Sequence, residues 1–273
     1  MSRLKLTRFL RFPEVTSLSD LDWLTQRPVA HRGLHDASAG VIENTPSAVQ
    51  AAVSYGFAVE VDLQVSKDGE AMVFHDATLD RLTTSRGKVI DRTVKQLKRV
   101  NFKDTKDKMW TLSDLLQLVR GVVPLVIEIK SPRDNVGPLE SRVAKILSTY
   151  NGHACVMSFN PHSIIAIKSL TPALVRGLVA ERFDDIPEWA HLSNKERFKR
   201  RHLLYGFEAD VDFIAYHVKA LPAPAPWLAR TLLRKPLLSW TVRSEQDRRT
   251  VKRWADQMIF EGFVPDNPAL REI

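Results

Sequence analysis

Ala58-Val59-Glu60-Val61-Asp62-Leu63-Gln64 alternates apolar and acidic side chains, and after a Lys67-Asp68-Gly69 turn it runs on into Phe74-His75-Asp76. Side chains alternate across the pleat of a strand. Glu60 and Asp62 therefore share one face, while Val59, Val61 and Leu63 point the other way into a core. Two like charges on one face repel, and a hard divalent ion with oxygen ligands is the economical counter-charge. Upstream, Val29-Ala30-His31-Arg32-Gly33 reads as a neighbouring strand that sets a histidine beside an arginine. Two acids, two histidines and an arginine point to metal-assisted chemistry on an anion.

Working outward, Thr45 is an N-cap, Pro46 suits the first helical position and Gly56 the C-terminal cap, with Ala48, Val49, Ala52 and Val53 as the apolar stripe. Strand, loop, helix and strand make a βαβ unit with a parallel crossover. The next connection is too short for a crossover. Ala71 to His75 must therefore turn back as a hairpin, which brings His75 and Asp76 to the rim. Residues 77–110 are irregular and charged, and a segment of that length suits an insertion or lid. Alternation resumes with the capping signal Thr111-Leu112-Ser113-Asp114 and a strand from Leu125 to Lys130. Further strands follow at Ala154 to Phe159, Leu174 to Ala180, Phe213 to Tyr216, Leu237 to Val242 and Met258 to Phe263. The helices between them include one opened by Asn160-Pro161 and one capped at Ser244. Setting the hairpin aside, the strands centre near residues 30, 60, 126, 156, 177, 214, 240 and 260. Eight strand–helix units argue for a (β/α)8 TIM barrel, an α/β fold whose chemistry sits at the strands' C-terminal ends. His31, Glu60, Asp62, Glu128, Lys130, Phe159 and Trp240 fall at or near those ends.

At 273 residues the chain suits one such barrel, spanning 28–273, with residues 1–27 as an N-terminal cover over one barrel end. The single Cys155 excludes an intramolecular disulfide and leans toward a reducing compartment. No apolar run approaches the length of a membrane span, and Arg3, Lys5, Arg8 and Arg11 puncture the start, unlike a secretory signal. A cytoplasmic location is the default expectation. The net charge of +8 attracts anions, phosphate esters among them. The basic stretch Lys195 to His202 reads as a solvated helix face, and with few interleaved aromatics nucleic-acid binding is not expected. Leu221 to Trp227, with proline at 222, 224 and 226, reads as a stiff loop, and the apolar segment Leu228 to Leu233 after it suits packing on the barrel or a weak peripheral contact with lipid.

Several motifs stand in order: Ala30-His31-Arg32-Gly33, Glu43-Asn44-Thr45, Glu60-Val61-Asp62, Ser66-Lys67-Asp68-Gly69, Phe74-His75-Asp76, Glu128-Ile129-Lys130, Ser158-Phe159 and Trp240-Thr241-Val242. Together they resemble the glycerophosphodiester phosphodiesterase family, over residues 28 to the last strand. The resemblance implies hydrolysis of glycerophosphodiesters to sn-glycerol 3-phosphate and an alcohol. By it, His31 and His75 match the general acid/base pair, and Glu60, Asp62 and Glu128 match ligands of a divalent ion, Ca²⁺ or Mg²⁺. Arg32 and Lys130 match residues that hold the phosphate, Glu43 and Asn44 the motif bordering the substrate, and Phe159 and Trp240 the rings lining its groove. Those two rings equally suit a core. Two positions depart: Arg243 stands where many relatives have Asn, and Glu261-Gly262 where Thr-Asp is common. Neither is expected to touch the catalytic set; both bear on the alcohol end. Alternatives are a lysophospholipase-D-like phosphodiesterase acting on lysophospholipids and a silent barrel that binds a phosphodiester. Oligomeric state is left open.

Overall fold

A two-residue strand, β1 (Val29–Ala30), closes the sheet. It pairs in parallel with β2 (Ala58–Val65) on one side and with β9 (Gln257–Phe260) on the other. Going round from β9, the order is β8 (Leu237–Val242), β7 (Phe213–His217), β6 (Arg176–Ala180), β5 (Ala154–Ser158), β4 (Leu125–Ile129) and back to β2. The ninth strand, β3 (Ala71–Val73), hangs antiparallel on β2 outside this ring, with Leu63 opposite Val73. The result is a closed eight-stranded parallel barrel with an added hairpin, as the alternation of strands and helices requires. The computed structural model describes residues 18–131, 134–184 and 189–266. Of the N-terminal cover expected over residues 1–27, residues 1–17 lie outside the described residues.

Most of the helices begin where short polar side chains can satisfy their free N–H groups. Thr45 caps α1 (Pro46–Ser54), and α2 (Val94–Leu97) lies in the insertion behind a Thr93–Gln96 capping box. Thr111 and Asp114 cap α3 (Leu112–Val119) reciprocally. Then come α4 (Pro138–Leu147), α5 (Pro161–Leu170) capped by Asn160, α6 (Asn194–Arg201), α7 (Gly206–Ala209), α8 (Pro224–Thr231) and α9 (Glu245–Trp254) capped by Ser244.

The strands separate two cores. Val59, Val61, Leu63, Ile127 and Val156 face outward against the helices. Val29, Ala58, Val126, Cys155, Phe213 and Leu238 fill the barrel interior, and Leu24 of a 3-10 helix (Leu18–Leu24) joins them. Trp23 stacks on His153 at 5.0 Å beside this cluster. With the interior filled by apolar side chains toward one end, the polar groups of β2 and β4 collect toward the other. Residues 77–110 hold a third cluster, in which Leu79, Val89, Leu97, Val100, Phe102 and Met109 pack with Ile42, Met72 and Phe74.

Three local readings differ from expectation. The first strand ends at Ala30, not Gly33, because Arg32 and Gly33 take positive φ (57° and 81°) and turn the chain off the barrel. A Cβ on Gly33 would lie 2.7 Å from the Ala48 carbonyl carbon, so the turn needs glycine for space as well as φ. The segment read as a proline-stiffened loop enters α8 at Pro224. Its first helical positions carry N–H groups that have no partner inside the helix anyway, so Pro224 and Pro226 cost it nothing there. On α6, Arg200 is buried, and its Nη1 donates to the Phe159 carbonyl at 2.6 Å; the rest of the basic stretch is not so enclosed.

Candidate active site

Glu60 and Asp62 stand on the same face of β2, and β4 places Glu128 in register opposite Asp62. One carboxylate oxygen from each lies within 4.8 Å of the other two. All three acids are buried. Glu60 Oε2 accepts the Arg32 backbone N–H at 2.9 Å, while Oε1 is buried with no hydrogen-bond partner. Asp62 Oδ2 accepts from Asn44 Nδ2 at 2.8 Å, and the Asp62 N–H donates back to Asn44 Oδ1 at 3.1 Å. Lys130 Nζ sits 2.6 Å from Glu128 Oε1 and 3.1 Å from Asp62 Oδ1.

Charge and burial set the protonation of this group. Burial, followed by repulsion from Asp62 and Glu128, pushes the Glu60 carboxyl well above its ordinary value. Burial also raises Glu128, against the pull of Lys130. For Asp62 burial works in the same direction, but Lys130, His75, Arg32 and His31 outweigh it and hold it well below the carboxylate range. Lys130 is raised, its own burial outweighed by Asp62 and Glu128.

Both histidines reach the site with Nδ1 held by a carboxylate. His31 Nδ1 lies 2.6 Å from Glu261 Oε2, and His75 Nδ1 2.7 Å from Asp76 Oδ1. That arrangement favours the Nδ1–H tautomer and leaves Nε2 as the free acceptor. Burial lowers the His31 imidazole, opposed by its bond to Glu261. Glu261 is drawn down to about 2: its partial burial is outweighed by hydrogen bonds from His31 and Arg243. The hairpin positions His75 through Gln64, whose Nε2 donates to the His75 carbonyl at 2.7 Å.

His31, Arg32, Glu60, His75, Glu128 and Lys130 line one cavity of about 280 Å³, closed on the other side by Phe159, Trp189, His217 and Trp240. Asp62, Glu43 and Asn44 do not line it. Asn44 is fully buried behind Asp62, and Trp110 Nε1 donates to its carbonyl at 2.8 Å. Glu43 accepts from Arg32 Nη1 at 2.7 Å. Phe159 and Trp240 meet edge to face, centroids 5.2 Å apart, and both face the cavity.

Sequence reading missed Arg81 and set Glu261 and Arg243 apart from the site. Arg81, in the insertion, grips Asp76 (2.7 Å) and Glu43 (2.7 Å) together and so links the partners of His75 and Arg32. The expectation that the two departures stay clear of the catalytic set is overturned by Glu261, which holds His31, and by Arg243 Nη2, which binds Glu261 at 2.9 Å and lines the cavity. The cause is the closure of the ring: β1 pairs with β9, so the residue after each strand end meets the other despite a separation of 230 positions.

A barrel whose C-terminal rim carries buried acids, two carboxylate-held histidines and paired cations defines a class of site built for anionic substrates. Residues 31–270 match the profile of the glycerophosphoryl diester phosphodiesterase family, and the chain belongs to that family. A glycerophosphodiester phosphodiesterase of Caldanaerobacter subterraneus subsp. tengcongensis is 34% identical over 161 residues, 55% of this chain and 65% of the relative. The first curated relatives are thus matched over just under two thirds of their own length, 65% and 64%. A glycerophosphodiester phosphodiesterase of Bacillus subtilis is 31% identical over 265 residues, 87% of this chain and 83% of the relative. Among solved structures, an Oleispira antarctica phosphodiesterase in complex with the product sn-glycerol-3-phosphate shares the fold at a TM-score of 0.71 and 18% identity, covering 87% of this chain and 93% of the other.

Proposed function

We propose that this chain hydrolyses glycerophosphodiesters to sn-glycerol 3-phosphate and an alcohol, using a divalent ion held by Glu60, Asp62 and Glu128 and proton transfer by His31 and His75. The observation that carries the reading is the convergence of both histidines and the acidic cluster on one cavity. Family membership and the product-bound phosphodiesterase of the same fold support the substrate class.

The residues fit a metal. Glu60 Oε1 is a buried oxygen lacking a partner, and the donor set is entirely hard carboxylate oxygen, as Ca²⁺ or Mg²⁺ requires. Charge argues the same way. Three carboxylates against Arg32 and Lys130 leave the cluster net negative when ionised, and a divalent ion reverses that sign. A bound ion would supply positive charge to the phosphate oxygens.

The chain's own groups do the rest. Arg32, on the cavity wall, meets the phosphate with a guanidinium that Glu43 and Asp62 hold in place (2.7 and 3.2 Å). With Nδ1 engaged, each imidazole works through Nε2. One, neutral, takes the proton of the attacking hydroxyl at Nε2, and the other, doubly protonated, gives its Nε2 proton to the departing alkoxide. Lys130 serves the acids first and adds positive potential at the phosphate. Phe159 and Trp240 border the alcohol. A cavity of about 280 Å³ sits at the small end of ligand pockets and suits a deacylated diester better than one carrying an acyl chain.

The test is glycerol 3-phosphate release from glycerophosphocholine and related diesters, with metal added or chelated. Turnover that survives both chelator and His31→Ala would overturn the proposal. Tight binding without turnover, whatever the metal, would favour a silent binding barrel, and faster cleavage of lysophospholipids would favour the lysolipid reading.

A further inference from the structure

Phe198, Leu204, Phe207, Leu228 and Leu233 line a single groove of about 590 Å³ between α6, α7 and α8. Each of these five is exposed, from 43% at Leu228 to 77% at Phe207. Most of the large apolar side chains exposed among the described residues fall here, within residues 198–233. Such a concentration marks an interaction surface, because scattered exposed apolar residues do not cluster in this way. The groove shares no lining residue with the candidate active site.

Around the groove the charge is one-sided. Residues 194–235 carry nine lysines and arginines against four acids. Three of those acids are engaged: Glu196 accepts the Tyr205 hydroxyl at 2.9 Å, Asp210 faces Arg176 at 3.4 Å, and Asp212 accepts the Arg176 N–H at 2.9 Å, which leaves Glu208. Among the described residues Lys195, Arg201, Arg234 and Lys235 have no ion-pair partner, and Lys199 lies over the Tyr205 ring at 5.2 Å. Lys235 and His202 stand on the groove wall itself, together with Asp210, whose carboxylate faces Arg176.

Charge selects the occupant. A second copy of the chain would set this cationic rim against itself. So would residues 1–17, which carry Arg3, Lys5, Arg8 and Arg11 against Glu14. An anionic surface complements it. Apolar side chains at the centre with lysines and arginines around them is also the layout of an interfacial anchor, where rings and aliphatic chains enter the headgroup layer and the cations reach phosphates.

We infer that the α6–α7–α8 face docks the protein on an anionic lipid bilayer. Phe207 and Leu233 enter the headgroup layer, and Arg234 and Lys235 contact lipid phosphates. The experiment is co-sedimentation of the full chain with vesicles of phosphatidylcholine alone and of phosphatidylcholine mixed with phosphatidylglycerol. The protein partitions onto the mixed vesicles only, and added salt weakens the partition. Lys235→Glu lowers it by about fivefold or more, the effect of at least one surface cation. Phe207→Glu lowers it by about tenfold, and Phe207→Ser gives a loss that introduces no charge. Melting temperatures and turnover of a water-soluble diester stay at wild-type values, since Phe207 is exposed and Lys235, partly buried on the groove wall, holds no ion pair among the described residues. Absence of partition onto the mixed vesicles, including the case in which only an acidic protein binds this face, overturns the inference. So does wild-type partition by both Phe207 variants and Lys235→Glu.

Discussion

Glu261 sets both the orientation and the basicity of His31. Its Oε2 lies 2.6 Å from Nδ1, and its negative charge raises an imidazole that burial lowers. Glu261→Gln keeps the shape and removes the charge. The sign follows: without the anion the His31 titration moves to still lower pH, which the imidazole proton resonances report directly. With the ring less firmly held, kcat falls about a hundredfold. This residue was illegible in the sequence because its role arises from ring closure and not from local pattern. Glu60, Asp62 and His31 were legible because strand periodicity alone puts the two acids on one face and the histidine at a strand end. A second expectation at this scale concerns Gly33. Gly33→Ala would force a side chain to within 2.7 Å of the Ala48 carbonyl carbon at φ 81°, and should cost about 3 kcal/mol in denaturant-unfolding stability.

At the scale of elements, Arg81 joins the insertion to the carboxylates that steady His75 and Arg32. Arg81 donates to Asp76 and Glu43 at once, so it couples the hairpin carrying His75 to the loop that steadies Arg32. Its own guanidinium is raised by those two carboxylates. Arg81→Ala should lower kcat/KM about tenfold or more through misplacement of His75 and Arg32. Hydrogen exchange should show the cluster of Leu79, Leu97 and Phe102 still protected, because it does not depend on Arg81. An equal loss of protection there would instead mark Arg81 as a support of the fold. Barrel strands were readable from their apolar runs and regular spacing, and caps such as Thr45, Thr111 and Ser244 from their chemistry. Strand ends were not, because a positive-φ turn such as Arg32-Gly33 leaves no mark in hydrophobic pattern. The insertion's packing was hidden for a related reason: its apolar residues lie in irregular backbone with no period to follow.

For the whole molecule, the acidic cluster places a burden on the metal-free fold. Glu60 and Glu128 have folded-state values raised above the ordinary carboxyl range, so as ions they oppose folding at neutral pH, and they favour it once protonated as the pH falls. Asp62 has the opposite sign: its pairing with Lys130 and Arg32 contributes above the ordinary carboxylate range and is lost on acidification. A divalent ion bound to the native state alone would offset the first effect. At about a hundredfold excess over its Kd it adds about 2.7 kcal/mol, which for a chain of this size raises the melting temperature by about 5–10 °C. Ca²⁺ and Mg²⁺ titrations followed by calorimetry should show that rise, and chelator should reverse it. The rise should be larger at pH 7.5 than at pH 5, because protons on Glu60 and Glu128 compete with the ion. Glu60→Gln should abolish it, since Oε1 is the buried oxygen that has no other partner. A melting temperature indifferent to both ions at either pH would mean that Lys130, 2.6 Å from Glu128, is the cluster's permanent counter-charge and that the phosphate is met by Arg32 and Lys130 without a metal.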